Sequence, residues 1–142
     1  MKNSSRLLLA TCVSMSAASM ALAATSDQPA YVGTWTGEAT DIQGAQVTKY
    51  PVVMTLGRTG GMIEYPSLKC GGRLTGIGQS SPYVFFIETI THGGLDEAAS
   101  SEGCIAGAIT VRITGDKLGW GWVGVYGGNA ISANAVLSRT AK

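Results

Sequence analysis

Apolar and polar residues alternate along most of this chain, and no segment sustains the 3.6-residue spacing of a helix face. Tyr50, Val52, Met54 and Leu56 share one side of a segment at 48–56. Leu68, Cys70, Gly72 and Leu74 share one side of 68–75, and Val84, Phe86, Glu88 and Ile90 one side of 83–91. A period of two places successive side chains on opposite faces of a strand. The same reading gives strands at 31–38, 62–65, 105–113, 118–126 and 129–139. The breaks carry turn chemistry: Arg58-Thr59-Gly60-Gly61, Gly115-Asp116 and Gly127-Gly128 are short and glycine-rich, and Pro66 stops the third strand. Pro51 implies an edge stretch or a bulge near the start of the second strand, because proline has no N–H for a ladder. Segments 39–46 and 92–103 read as the longer connections.

Eight short strands joined by tight turns predict an all-β, antiparallel meander. Left flat, it would expose two edges and one apolar face. Closure into a small eight-stranded barrel is therefore expected, with a two-sheet β-sandwich as the alternative. Glycines at 72, 119, 121 and 124 suit the bends and close strand packing of a small barrel.

Residues 1–23 break the alternation. Lys2 and Arg6 precede an apolar stretch diluted by Thr11, Ser14, Ser16 and Ser19, and Ala21-Leu22-Ala23 is an A-x-A cleavage pattern. Together they read as a signal peptide; a membrane span needs about 20 strongly apolar residues. Residues 24–30 then form a short polar lead, and 31–140 a single domain. The expected location is periplasmic or secreted.

Composition narrows the picture. The chain is 45% hydrophobic and 13% charged, with 20 glycines, all beyond residue 23. Interior glycine costs about 1 kcal/mol relative to alanine in a helix, which argues against a helix bundle, and the apolar content argues against disorder. Without Lys2 and Arg6 the formal charge moves from +1 to −1. That balance lacks the basic footprint of nucleic-acid binding. Cys12 leaves with the signal, so Cys70 and Cys104 remain as an even pair and are expected to form a disulfide in an oxidising compartment. Chain entropy assigns roughly 4 kcal/mol to such a loop closure.

No catalytic constellation is visible. The chain has no G-x-S-x-G, no H-E-x-x-H and no phosphate-cradling loop. With His92 as the one histidine, a histidine-rich metal site is excluded, and no cofactor is expected. Glu88 is the informative charge, since it alternates with apolar residues on a face that should be buried. A buried carboxylate needs a partner; Arg112 in the following strand is the first candidate and Arg73 the second. Trp120 and Trp122 lie two apart, so their rings share a face as barrel lining or as a stacking platform that Tyr126 extends. His92 opens an acidic, glycine-rich connection carrying Asp96 and Glu97, which is held at its far end by Cys104.

Two resemblances follow from these residues. Gly33-Thr34-Trp35 in the first strand resembles the G-x-W signature of calycin-type barrels, the group of lipocalins and avidins, and Arg139 falls where such barrels place a basic residue over that tryptophan. The run Tyr65-Pro66-Ser67-Leu68-Lys69-Cys70-Gly71-Gly72-Arg73-Leu74 resembles a Y-P-S-L-x-C-x-G-x-L pattern of small exported bacterial domains, including extracellular parts of some membrane kinases. Those domains also carry an F-x-E-x-I strand, a second cysteine and a terminal L-x-R, matched here by Phe86–Ile90, Cys104 and Leu137-Ser138-Arg139. The resemblance implies a shared fold and no particular activity.

The function expected from sequence is an exported, non-enzymatic binding protein. Its first form is a protein binder, such as a hydrolase inhibitor or immunity-type protein, working through the 92–103 connection. Its second is a calycin-like carrier of a small ligand or sugar, with a pocket lined by Trp35, Trp120 and Trp122. A third reading makes Glu88 the acid or base of an enzyme.

Overall fold

The computed structural model describes residues 28–95 and 103–140. The expected signal peptide, Asp96 and Glu97 lie outside them. The strands are β1 Gly33–Gln43, β2 Gln46–Leu56, β3 Gly60–Tyr65, β4 Cys70–Ser80, β5 Tyr83–His92, β6 Gly107–Thr114, β7 Lys117–Tyr126 and β8 Asn129–Arg139. Each pairs antiparallel with the next, and β8 returns to β1. The meander closes as a barrel, and the sandwich alternative does not apply. Closure gives every strand two neighbours and removes the free edges of an open sheet. No described helix is long and apolar enough to cross a membrane.

Differences from the expected strands lie at their ends. Segment 39–46 is not a loose connection: β1 and β2 stay paired from Gly33↔Leu56 to Gln43↔Gln46. The turn needs only Gly44 and Ala45, with Gly44 at φ +60°, the left-handed backbone such tight turns require. The expected fourth strand starts two residues late, because Pro66–Leu68 form a 3₁₀ turn that ends at Lys69 in the left-handed region. Pro51 does occupy an edge stretch. β3 reaches β2 only at Val53–Leu56, so the start of β2 has β1 as its one ladder partner.

Inward positions run in rows around the barrel. Near one end they are aliphatic or aromatic and tightly buried: Trp35, Met54, Leu56, Ile63, Leu74, Phe86, Ile109, Leu118 and Leu137. The first and last strands are tied together at this end. The Arg139 guanidinium lies 4.2 Å above the Trp35 ring and donates to the carbonyls of Val32 and Ala30. The Trp35 indole N–H donates to the Tyr31 carbonyl at 2.8 Å. Gly33, at φ +141°, leaves room for that guanidinium, which a Cβ would strike. The Gly33, Trp35 and Arg139 spacing read from sequence thus has a steric cause.

Cys70, at the start of β4, is bonded to Cys104, with a Cα–Cα distance of 5.9 Å. Cys104 is held further by backbone bonds, donating to the Gly93 carbonyl and accepting from the Leu95 N–H. The long β5–β6 connection is therefore anchored at both ends over the second end of the barrel.

Candidate functional site

At that second end the inward rows change character. Continuing the parity of Trp35, β1 reaches Asp41; β2 supplies Tyr50, β3 Tyr65, β5 Glu88, and β7 Trp122 and Tyr126. These side chains, with Leu95, Cys104 and Ile105 from the β5–β6 connection, line a cavity of about 310 Å³. That volume is at the small end of the range of ligand pockets, about 300–1,000 Å³.

Glu88 sits at the base. It is 1% exposed and is the one buried charged residue among those described. Its Oε1 accepts from the Tyr65 hydroxyl at 2.9 Å and its Oε2 from the Trp122 indole N–H at 2.7 Å. Burial pushes the Glu88 carboxyl above its ordinary value, while the two donors pull it back. The Tyr65 phenol is pushed far up by burial first and by the adjacent carboxylate second, so it remains a hydroxyl donor. Tyr50, edge-to-face with Tyr65 at 5.8 Å between centroids, is raised by burial and then by Asp41 and Glu88. Asp41 accepts from the Gln43 amide through Oδ2, whereas its Oδ1 is buried with no partner among the described residues.

The position of Trp122 depends on missing side chains. Gly107 and Gly124 face each other across β6 and β7, and a Cβ on either would collide with the indole. The ring lies over this glycine pair with its N–H within reach of Glu88.

The arginine partners expected for Glu88 are not used. Arg112 is exposed and lies 5.8 Å over the Tyr83 ring, and Arg73 points out from β4. An inward carboxylate on β5 has the opposite parity to Arg112, whose cross-strand neighbour is Tyr83. Two neutral donors, one to each oxygen, hold Glu88 instead. Trp120 and Trp122 do share the inward face, but Trp120 is 3% exposed in the core and does not line the cavity, so the expected platform reduces to Trp122 and Tyr126. Trp35 lies in the tightly packed end and lines no ligand space.

His92 has the parity of Glu88 and Ile90, yet it points outward. The β4–β5 register slips between Gly71 and Gly72, leaving Thr91 unpaired and setting His92 opposite Gly71. Across that glycine, His92 Nε2 lies 3.0 Å from the Glu64 carboxylate, both side chains being half-exposed. It forms no part of the cavity.

Sequence reasoning passed over Asp41, Tyr50 and Tyr65. Tyr50 and Tyr65 were visible as strand residues; their position next to Glu88 required the register. Asp41 fell in the segment read as a connection. Among the described residues, no three His, Cys, Asp or Glu side chains cluster to hold a metal ion.

Fold and site together define a closed eight-stranded barrel with a buried acid at the base of an open mouth. No family model, curated protein or solved structure matches the chain.

Proposed function

We propose that this protein is an exported, non-enzymatic binding protein that holds a small molecule in the mouth of its barrel. Glu88 carries the proposal. A carboxylate at this depth costs several kcal/mol to desolvate, and an aliphatic residue would fill the space more cheaply. The fold instead spends a tyrosine, a tryptophan and a glycine pair on orienting it beneath a cavity. A concave pocket lined by apolar and aromatic side chains, with a few fixed polar groups, is the usual form of a small-ligand site. The Cys70–Cys104 bond and the lack of a spanning helix among the described residues are compatible with export.

Contact with a second protein through the 92–103 connection rests on Asp96 and Glu97, outside the described residues. The cavity is the better-founded site.

The test is a fluorescence screen of small neutral and charged compounds against the processed, oxidised protein and its Trp122→Phe variant. Ligands of the mouth should quench or shift wild-type emission and leave the variant's unchanged. Responses of equal size in both proteins would place binding elsewhere and overturn the proposal.

A further inference from the structure

We infer that the ligand is an organic cation, a small primary amine or quaternary ammonium compound, seated between the Glu88 carboxylate and the aromatic walls of the mouth. This rests on the small-ligand reading above and adds the charge of the guest.

The charge of the lining is one-sided. Asp41 and Glu88 both face the cavity, and its described lining contains no Lys, Arg or His. A buried carboxylate ordinarily has a cationic partner, and neither arginine foreseen for Glu88 is inside the barrel.

Among the described residues the acceptors are only partly filled. An ionised carboxylate offers about four lone-pair sites. Tyr65 and Trp122 each engage one oxygen of Glu88, so each oxygen keeps a lone pair that no described residue fills. Oδ1 of Asp41 is buried and unpartnered among the described residues. A primary ammonium donates and cannot accept, which matches a lining of spare acceptors; a quaternary ammonium has no N–H and is held by charge and by the aromatic rings alone.

The walls favour a diffuse positive charge. Tyr50, Tyr65, Trp122 and Tyr126 line the same cavity as the acid, and aromatic faces attract cations through their quadrupole, as in cages for quaternary ammonium ligands. A bare metal ion fits less well, because two carboxylates are too few ligands and no third metal-binding side chain joins them among the described residues.

The experiment uses matched pairs of probes: choline against 3,3-dimethyl-1-butanol, and n-butylammonium against n-butanol, titrated calorimetrically at fixed ionic strength. At least one cation should bind tenfold or more tightly than its neutral isostere. Glu88→Gln should cut that cation's affinity at least tenfold and leave the neutral isostere unchanged, with folding checked by circular dichroism. Asp41→Asn, at a less buried position, should lose several-fold and serves if Glu88→Gln fails to fold. Equal affinity within both pairs, or a cation affinity indifferent to both substitutions, would overturn the inference. If only neutral compounds give a Trp122-dependent response, the cation inference fails and the pocket stands. If no compound of either kind does, both fail.

Discussion

Tyr65→Phe deletes one oxygen from the interior and keeps the ring. The edge-to-face contact with Tyr50 survives, so what is lost is the hydroxyl donated at 2.9 Å to Glu88. A hydrogen bond to a charged group contributes about 1.5–3 kcal/mol, and at 1% exposure Glu88 has little water to take the donor's place. A loss of about 2 kcal/mol at neutral to mildly alkaline pH is expected. Its pH dependence distinguishes this cause from simple loss of packing. Burial holds the folded-state Glu88 value above the ordinary 4.5. The stability that Glu88 contributes is therefore present below about 4.5 and falls as pH rises through the elevated value. Tyr65 counters that fall by binding the anion. Removing it raises the Glu88 value further, so the variant's deficit should be small at pH 4 and grow as the carboxyl ionises. Urea denaturation followed by tryptophan emission between pH 4 and 8 measures this; with a slope of about 1–3 kcal/mol/M, the midpoint should drop by roughly 1 M at the upper end. In a Glu88→Gln background the growth with pH should vanish. A deficit below about 0.5 kcal/mol at pH 8, or one that is constant across the range, would refute the reasoning.

Three further outcomes are expected. Arg139→Ala should lose about 2 kcal/mol in urea unfolding by removing the stack on Trp35 and its two carbonyl bonds, while Arg139→Lys, which keeps charge without the planar fork, should recover part of that. Cys104→Ser should cost roughly 4 kcal/mol, and thiol titration of the unfolded wild type should find no free Cys70 or Cys104. Gly124→Ala places a Cβ against the Trp122 ring and should cost about 1–3 kcal/mol; displacement of the indole from Glu88 should show as a shifted indole N–H resonance in a barrel that otherwise keeps its circular dichroism.

The strand order and barrel closure were legible because a period of two and glycine-rich turns are local signals, and a meander pairs each strand with its neighbour in sequence. At the end opposite the mouth the Arg139 stack on Trp35 was legible only through the G-x-W resemblance, and the burial of Trp35 there was not, since Trp35 was expected to line a pocket. The mouth was only half legible. Glu88 stands out as a charge on an apolar face, but strand proximity alone points to Arg112 as its partner, and parity turns Arg112 outward beside Tyr83. Tyr65 and Trp122 lie 23 and 34 residues from Glu88. They reach it over one intervening strand on either side, a relation that no hairpin register between neighbouring strands encodes. The outward turn of His92 depends on a one-residue slip against Gly71 that leaves no mark in the hydrophobic pattern.

Met54, Leu74, Phe86 and Leu118 pack the deep rows and, among the described residues, wall the mouth off from the Trp35–Arg139 end. A molecule held as proposed would then leave by the way it came. Arrival and departure then pass the same ring of residues, so a change at the lip that leaves the contacts at the bottom untouched alters both rates by one factor and the equilibrium not at all.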